Sequence, residues 1–327
     1  MSLNFEKLKA WFKDKNQRFR ESVCAPVVFK LMDMVGFKRH LPFTCTGTDA
    51  QDLIYKHIAS GAPCMVGRIG ATEIRNMEGV LHQNCSFWQK VKFFLTLHQT
   101  GQSPKMQQLW NNIEEHNDDV FFEKFTQIML EDIEELDIFA SWRWEENEVM
   151  KSYDKEVIAL ADLEPFHTSN PWTRSLAGKK VLVIHPFHKT VEFQYSRREH
   201  LFKNQEILPE FELMTYQPFF WGVRDNPDKT KDFMRNLECM KKEIEVLDFD
   251  VALIAAGTYG FPLAAHIKRM GKQAVVMGGV LQILFGIKGA RWDAMAQYNK
   301  FYNGYWLRPG EEYKPKCYSS FDGGCYW

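Results

Sequence analysis

Two continuous apolar runs in the last third of the chain end in the same way. The runs VALIAA (251–256) and AVVM (274–277) are followed by Gly257 and by Gly278, and the segment 260–270 between them has the apolar spacing of a helix. Strands without polar alternation are buried on both faces, which is typical of parallel sheets. A strand, a helix and a second strand in this order predict a βαβ unit.

Further strand and helix patterns extend this prediction along the chain. Strands are predicted at 62–70, 137–141, 178–186, 210–216, 250–257 and 273–279, and helices at 45–61, over most of 71–98, at 119–136, at 233–247 and from about 280. We expect the helix at 45–61 to begin at a Thr48 or Asp49 cap and to end at Gly61, and residues 142–177 to be irregular. The expected fold is α/β and Rossmann-like, a mostly parallel sheet with helices on both faces, plus an N-terminal helical segment.

Three regions are expected from these patterns. Residues 1–44 form an N-terminal helical segment, residues 45–300 an α/β catalytic domain, and residues 301–327 an aromatic tail packed on that domain. The N-terminal segment is amphipathic and basic. It either docks on its own domain or makes a peripheral membrane contact through residues 1–22.

Composition narrows the class of protein. Lys and Arg number 41 against 42 Asp and Glu, so charge gives no reason to expect nucleic acid as a partner. The seven cysteines form no CxxC pair, which argues against a disulfide framework and a zinc ribbon. No secretory signal and no apolar run of about 20 residues is evident. We therefore expect a cytoplasmic protein, either free or peripheral at the inner membrane face.

The strand ends supply the first candidate site, because ligands of open α/β sheets bind beyond the carboxyl ends of the strands. Gly257, Tyr259 and Gly260 follow one strand, and Gly278 and Gly279 follow the next. Glycines there let the backbone approach a ligand, although a plain turn also requires them. Neither GxGxxG nor GxxxxGK[ST] follows a predicted strand, which removes the main support for a dinucleotide or P-loop site.

Two other strand ends carry charged or polar groups. In GRIGATE (67–73), Arg68 ends a strand and suits a phosphate, Gly70 allows the turn, and Glu73 falls in the first helical turn. Glu73 is a candidate base or metal ligand, or simply an acid that favours the helix dipole. His185 ends another strand, and we expect it to contact a phosphate or the hydroxyl of an acceptor substrate.

Lys288 and Arg291 follow the last strand–helix unit. We expect both to close the cleft beyond the carboxyl ends of the strands and to contact a phosphate or an acceptor substrate.

These motifs together resemble the GT-D-fold glycosyltransferases, a bacterial family formerly a domain of unknown function. The family's R-[FI]-G-D-G-E element corresponds to RIGATE (68–73), and its C-terminal pattern corresponds to GTYG (257–260), RMGKQAVVMGG (269–279) and Trp292. The resemblance covers roughly residues 45–295. GKKVLVIHPF, GxYGFPLAAHIK and GGCYW are similar to segments of uncharacterised bacterial polysaccharide-biosynthesis proteins.

The resemblance implies transfer of a sugar from a nucleotide-diphosphate donor to a glycan or lipid-linked acceptor in surface polysaccharide or glycoprotein synthesis. The resemblance also implies manganese or magnesium on an Asp-x-Glu pair, but Ala71 stands where the Asp is expected and only Glu73 remains. Glu164 is a weaker candidate for the missing carboxylate. The alternatives are a non-catalytic nucleotide-sugar-binding protein and a membrane-surface scaffold of a polysaccharide assembly.

Overall fold

The computed structural model describes most of the chain. The described residues are 30, 41–95, 100–102, 107–108, 110–111, 113–219, 224–225, 230–314 and 324–327. The predicted membrane contact at residues 1–22 and nearly all of the predicted N-terminal helix lie outside them.

Seven parallel strands form one sheet. They are β1 (Cys64–Gly67), β2 (Ile138–Ser141), β3 (Glu156–Ala159), β4 (Lys180–Ile184), β5 (Glu212–Tyr216), β6 (Val251–Ile254) and β7 (Gln273–Val276), in the order β3-β2-β1-β7-β6-β4-β5. The predicted α/β class with a parallel sheet is therefore confirmed.

The α-helices alternate with the strands along the chain. They are α1 (Thr48–Ala59), α2 (Ala71–Leu81), α3 (Phe87–Leu95), α4 (Asp119–Ile133), α5 (Glu146–Met150), α6 (His188–Tyr195), α7 (Phe233–Glu245), α8 (Gly260–Arg269), α9 (Leu281–Leu284), α10 (Ala290–Asp293) and α11 (Ala296–Asn299). Short 3-10 turns lie among them, including Gly257–Tyr259 and Gly278–Val280.

Both faces of the sheet are covered, as the unbroken apolar runs predict. On one face, Val183 and Leu253 pack in a core that also contains Ile54 of α1 and Val191 of α6. On the other face α8 packs against β1, β6 and β7. Within the sheet, β1 and β7 lie close together beside Gly67, because a Cβ there would lie 3.3 Å from Val276 Cγ2. The fully buried strands β1, β2, β6 and β7 are thus held by apolar burial on two sides.

Two sequence predictions are wrong. The segment 142–177 contains strand β3, helix α5 and short 3-10 turns, so it is not simply irregular. Its strand escapes detection because Glu156–Ala159 is the end strand of the sheet and has only two fully buried residues, so it lacks the continuous apolar run of the central strands. Helix α1 takes Gly47 as its N-cap and has no side-chain cap from Thr48 or Asp49.

The chain forms two compact units, with the sheet in the larger one. The sheet unit comprises residues 43–70, 129–141 and 153–327, and the helical unit includes residues 71–128 and 142–152. In the helical unit, Trp110 packs edge-on against Phe122 and Phe125. Among the described residues, no helix combines the length and apolar composition that crossing a bilayer requires.

Candidate functional site

The sheet order places the predicted strand-end residues side by side. Strands β1, β7, β6 and β4 are consecutive neighbours in the sheet, although they are widely separated in sequence. Because all four run parallel, the segments after them lie at one edge. Arg68, Gly278, Gly257 and His185 each follow one of these strands. We call this edge, with the residues that cover it, the carboxyl edge.

The chain connections also divide at this edge. Strand β4 leads through α6 to β5, whereas its neighbour β6 leads through α8 to β7 on the opposite side of the sheet order. Adjacent strands whose connections diverge leave a crevice between their carboxyl ends, which is where α/β sheets bind ligands. His185 and Gly257 lie on the two sides of this crevice.

Arg68 lies directly on the glycine turn that follows β7. Gly278 has φ +64°, and a Cβ placed there would lie 2.7 Å from Arg68 Cζ and would overlap the guanidinium. Within the described part of the chain, the half-buried guanidinium has no hydrogen-bond or ion-pair partner. Because the Arg68 guanidinium rests on this glycine without a partner among the described residues, its N–H groups are available to bind an anion.

In the turn after β6, Gly257 borders open space, whereas Tyr259 packs against other side chains. Gly257 has φ +54°, and nothing lies within 4 Å of its Cβ position, so the space above this turn is open. Tyr259 is 4% exposed and stacks on Phe233 of α7 with ring centroids 4.6 Å apart. Its ring thus packs in the protein core. At Gly260 a Cβ would make ordinary contacts of 3.5 Å or more with Ile254 and Val276.

Aromatic side chains cover the remaining glycine of the β7 turn. A Cβ on Gly279 would lie 2.9 Å from Tyr326 Cε1 and 3.5 Å from Trp292 Cζ2. Arg291 joins this cover, because its Nη1 donates to Tyr326 Oη at 3.3 Å and its Cζ lies 4.8 Å from the Tyr326 ring centroid. Arg291 is therefore held on the wall of the carboxyl edge by Tyr326.

His185 is buried and neutral. It is 3% exposed, and burial, with a smaller contribution from His188, lowers its pKa to about 3. Its Nδ1 accepts a hydrogen bond from the Phe187 amide at 2.9 Å, so the ring proton resides on Nε2. At neutral pH, His185 thus offers a neutral N–H donor. Such a group is better suited to binding a hydroxyl or phosphate oxygen than to transferring a proton.

Lys288 is fixed through its backbone. Its amide donates to Leu307 O at 2.7 Å, and its carbonyl accepts from Gln282 Nε2 at 2.7 Å. The ammonium lies 5.2 Å from the Tyr302 ring centroid, and no acidic partner is found for it in the described ranges. Lys288 therefore adds a cation on the segment between α9 and α10.

Glu164, the weaker carboxylate candidate, is engaged by neighbouring side chains. The Tyr298 hydroxyl donates its one proton to the Glu164 carboxylate, whose two oxygens lie 2.7 and 2.8 Å from Oη, and Glu164 lies 3.6 Å from His167 Nε2. The part of the chain that is described contains no group of three or more His, Cys, Asp or Glu able to hold a metal. Magnesium is usually held by one or two carboxylates together with substrate phosphates and water, so the metal that the resemblance implies stays a prediction.

Glu73 belongs to the helical unit. It lies in the first turn of α2, two residues after Ala71, the first residue of that helix. The described residues give Glu73 no hydrogen-bond or ion-pair partner. Gly70 directly precedes the helix and is half-buried. The structure therefore leaves both interpretations of Glu73 open, the helix-dipole acid and the reactive carboxylate.

Sequence reasoning missed two residues of the carboxyl edge. Gln282 is 1% exposed and donates to both Lys288 O and Tyr326 O, so it joins the Lys288 segment to the last residues of the chain. Tyr326 holds Arg291 and covers Gly279. The GGCYW motif drew attention to Tyr326, but no pattern in the sequence indicated its contacts with Arg291 and Gly279. A buried glutamine gives no comparable signal.

No protein-family model matches the chain, and neither does any curated protein or solved structure. The resemblance of the motifs at 68–73 and 257–279 to a glycosyltransferase family therefore stays a prediction.

Proposed function

We propose that this protein is a glycosyltransferase whose carboxyl edge binds the diphosphate of a nucleotide-sugar donor. The observation that carries the proposal is the unpaired guanidinium of Arg68 on the Gly278 turn. The open space above Gly257 and the N–H donor of His185 lie after neighbouring strands of the same sheet. An anion that spans these turns meets one cation and a neutral donor.

The transfer reaction makes specific demands on such an edge. The acceptor hydroxyl forms a bond to the anomeric carbon while the bond from that carbon to the diphosphate breaks, so negative charge develops on the leaving nucleoside diphosphate. Arg68 stabilises this charge through guanidinium N–H bonds, with Lys288 and Arg291 as further cations. The proton of the acceptor hydroxyl requires a base, and Glu73 is the candidate base that the sequence offers. The metal that the resemblance implies stays a prediction, and no step is assigned to it.

A nucleotide-binding panel tests the donor site. Nucleoside diphosphates and nucleotide sugars, with and without manganese or magnesium, are screened by thermal shift, since a ligand that binds the folded state raises the melting temperature by mass action. Arg68→Gln should weaken binding of the preferred nucleotide by about 10- to 100-fold, the value of a hydrogen bond to a charged group. Arg198→Gln is the matched control, because Arg198 already pairs with Glu210, two residues before β5 begins.

The panel has clear adverse outcomes. If no nucleotide raises the melting temperature, or if Arg68→Gln and Arg198→Gln weaken binding equally, the donor site is wrong.

A second candidate function is nucleotide-sugar binding without transfer. The observation that favours it is Ala71 at the first position of α2, where the family pattern has an Asp. Release of nucleoside diphosphate from the bound nucleotide sugar separates the two functions. Release that is lost in Glu73→Ala, with binding retained, supports the transferase; binding of a nucleotide sugar with no release supports the binding protein.

A further inference from the structure

The helical unit contains a stretch without acidic residues. Residues 79–113 include no Asp or Glu, although these types make up 42 of the 327 residues. The charged residues of the stretch are Lys90, Lys92 and Lys105. A segment of this length with one sign of charge favours contact with an anionic surface.

Large apolar side chains are exposed within this stretch. Phe87 is 71% and Trp88 is 78% exposed, and Leu81 at the end of α2 is 45% exposed. The two aromatic rings contact each other edge-on, with centroids 5.5 Å apart. Single exposed apolar residues are normal, but an adjacent phenylalanine and tryptophan at this exposure form a patch.

Helix α3 holds the aromatic pair at its first turn. Ser86 caps the helix reciprocally with Gln89: the Ser86 amide donates to Gln89 Oε1 at 2.8 Å, and the Gln89 amide donates to Ser86 Oγ at 3.4 Å. Further along the helix, the Phe93 ring stacks on His82 with centroids 3.9 Å apart. Because the cap satisfies the Ser86 and Gln89 amides, these two groups can lose water contact without becoming unpaired donors.

The chemistry of the patch selects its partner. Tryptophan and phenylalanine on a helix beside lysine are typical of the boundary between lipid headgroups and acyl chains. Lys90 is exposed, and the described residues give it no acidic partner. Its ammonium therefore remains available to a phosphate headgroup next to the inserted rings.

We infer that Phe87, Trp88 and Lys90 form a surface that binds anionic lipid bilayers peripherally. Phe87 and Trp88 enter the interface, and Lys90 pairs with anionic headgroups. This inference goes beyond the proposed function and is independent of it, because it concerns the helical unit and requires no nucleotide. The surface differs from residues 1–22, where the sequence predicts a membrane contact.

Vesicle sedimentation with the full chain tests the inference. The protein is mixed with vesicles of phosphatidylcholine and with vesicles that also contain phosphatidylglycerol. We expect binding to the anionic vesicles that weakens as salt rises. Phe87→Ser combined with Trp88→Ser should lower the partition coefficient by at least about tenfold, since both rings lose their apolar burial. Lys90→Glu should lower it on anionic vesicles only.

A matched control and a direct insertion readout keep the test specific. Val246→Ser changes an apolar side chain that is 82% exposed in the sheet unit, and binding should stay unchanged. Lipids with brominated acyl chains quench inserted tryptophans, so Trp88→Phe should reduce the quenched fluorescence while it keeps an aromatic ring at the interface. Unchanged melting temperatures confirm that each variant is folded.

Three results would overturn the inference. The first is a wild-type protein that binds neither kind of vesicle. The second is equal binding by the wild type and the Phe87/Trp88 double variant, which places the lipid contact elsewhere in the chain. The third is a dimer in solution that the double variant dissociates, which shows that a second copy of the chain covers this surface.

Discussion

Gly278 illustrates how a single residue sets the position of a distant side chain. Its φ of +64° is a left-handed conformation that a side chain disfavours, and the Arg68 guanidinium occupies the space where a Cβ would lie. Two separate costs therefore exclude any other residue. Gly257 has a similar φ of +54° but open space at its Cβ position, so only the conformational cost applies there.

Substitution of these two glycines separates the costs. Gly278→Ala should lower the free energy of unfolding by about 1–2 kcal/mol for its conformation, plus a smaller cost for moving the flexible Arg68 guanidinium. Gly257→Ala should lower it by about 1–2 kcal/mol, the conformational cost alone. Urea denaturation measures both. A smaller loss at Gly278 than at Gly257 would contradict the expected displacement of Arg68.

His185 should make stability depend on pH. Burial lowers its pKa to about 3 in the folded state, against 6.5 ordinarily, so between these values the unfolded chain binds a proton that the folded chain does not. The contribution of neutral His185 to the free energy of unfolding is therefore fully present above pH 6.5 and is lost as the pH falls toward 3. The contribution of His185 approaches about 1.4 kcal/mol per pH unit below that point.

Denaturation at several pH values measures this contribution. His185→Gln keeps a polar side chain and should flatten the dependence between pH 6.5 and 3. His116→Gln, at an exposed histidine, is the control and should leave the slope as in the wild type. A variant at position 185 with the wild-type slope would show that another group carries the dependence.

The type of an individual element was easier to predict from the sequence than the strands with which it pairs. The unbroken runs of β6 and β7 fixed their type, because burial on both faces requires apolar residues at every position. Strand order was not predictable, since no local pattern states that β1 pairs with β7. The contact of Arg68 with Gly278 depends on that pairing, so each residue was a candidate from sequence while their combination was not.

The C-terminal end of α8 is held by ion pairs that local patterns do not reveal. Arg269 Nη1 lies 2.7 Å from Asp132 Oδ1 near the end of α4, and Arg269 Nε lies 2.9 Å from Glu135 Oε1. The Asp132 side chain is 4% exposed, and burial raises its pKa to about 6, although Arg269 opposes this shift. Loss of Arg269 would leave this buried carboxylate without its partner.

Removal of Arg269 should therefore cost more than removal of a surface pair. Arg269→Gln should lower the free energy of unfolding by about 1–3 kcal/mol, below the value for a fully buried pair, because the Arg269 side chain is 41% exposed. Lys151→Gln breaks the exposed pair with Glu148 and should cost less than about 0.5 kcal/mol. Urea denaturation compares the two variants. Similar small losses would mean that Asp132 takes up a proton or water in place of Arg269.

The molecule as a whole holds thiols in two different environments. Cys64 begins β1 within the sheet and is 2% exposed, whereas Cys85 of the helical unit and Cys239 of α7 are half-buried. Burial, with a smaller contribution from Asp137, raises the pKa of the Cys64 thiol to about 12. Since the thiolate is the reactive form, Cys64 is protected by both exclusion of reagent and protonation.

Alkylation should therefore report on opening of the sheet. In the native protein Cys85 and Cys239 should react with iodoacetamide, while Cys64 should react only through unfolding of the sheet, at a rate lower by a factor on the order of 10⁴. Mass spectrometry of peptides after timed labelling measures each rate, and urea should accelerate Cys64 the most. Cys239 is the control for the unit, because it shares the sheet unit with Cys64 without its burial. A Cys64 that reacts as fast as Cys239 would show that the centre of the sheet opens locally, without the rest of the molecule.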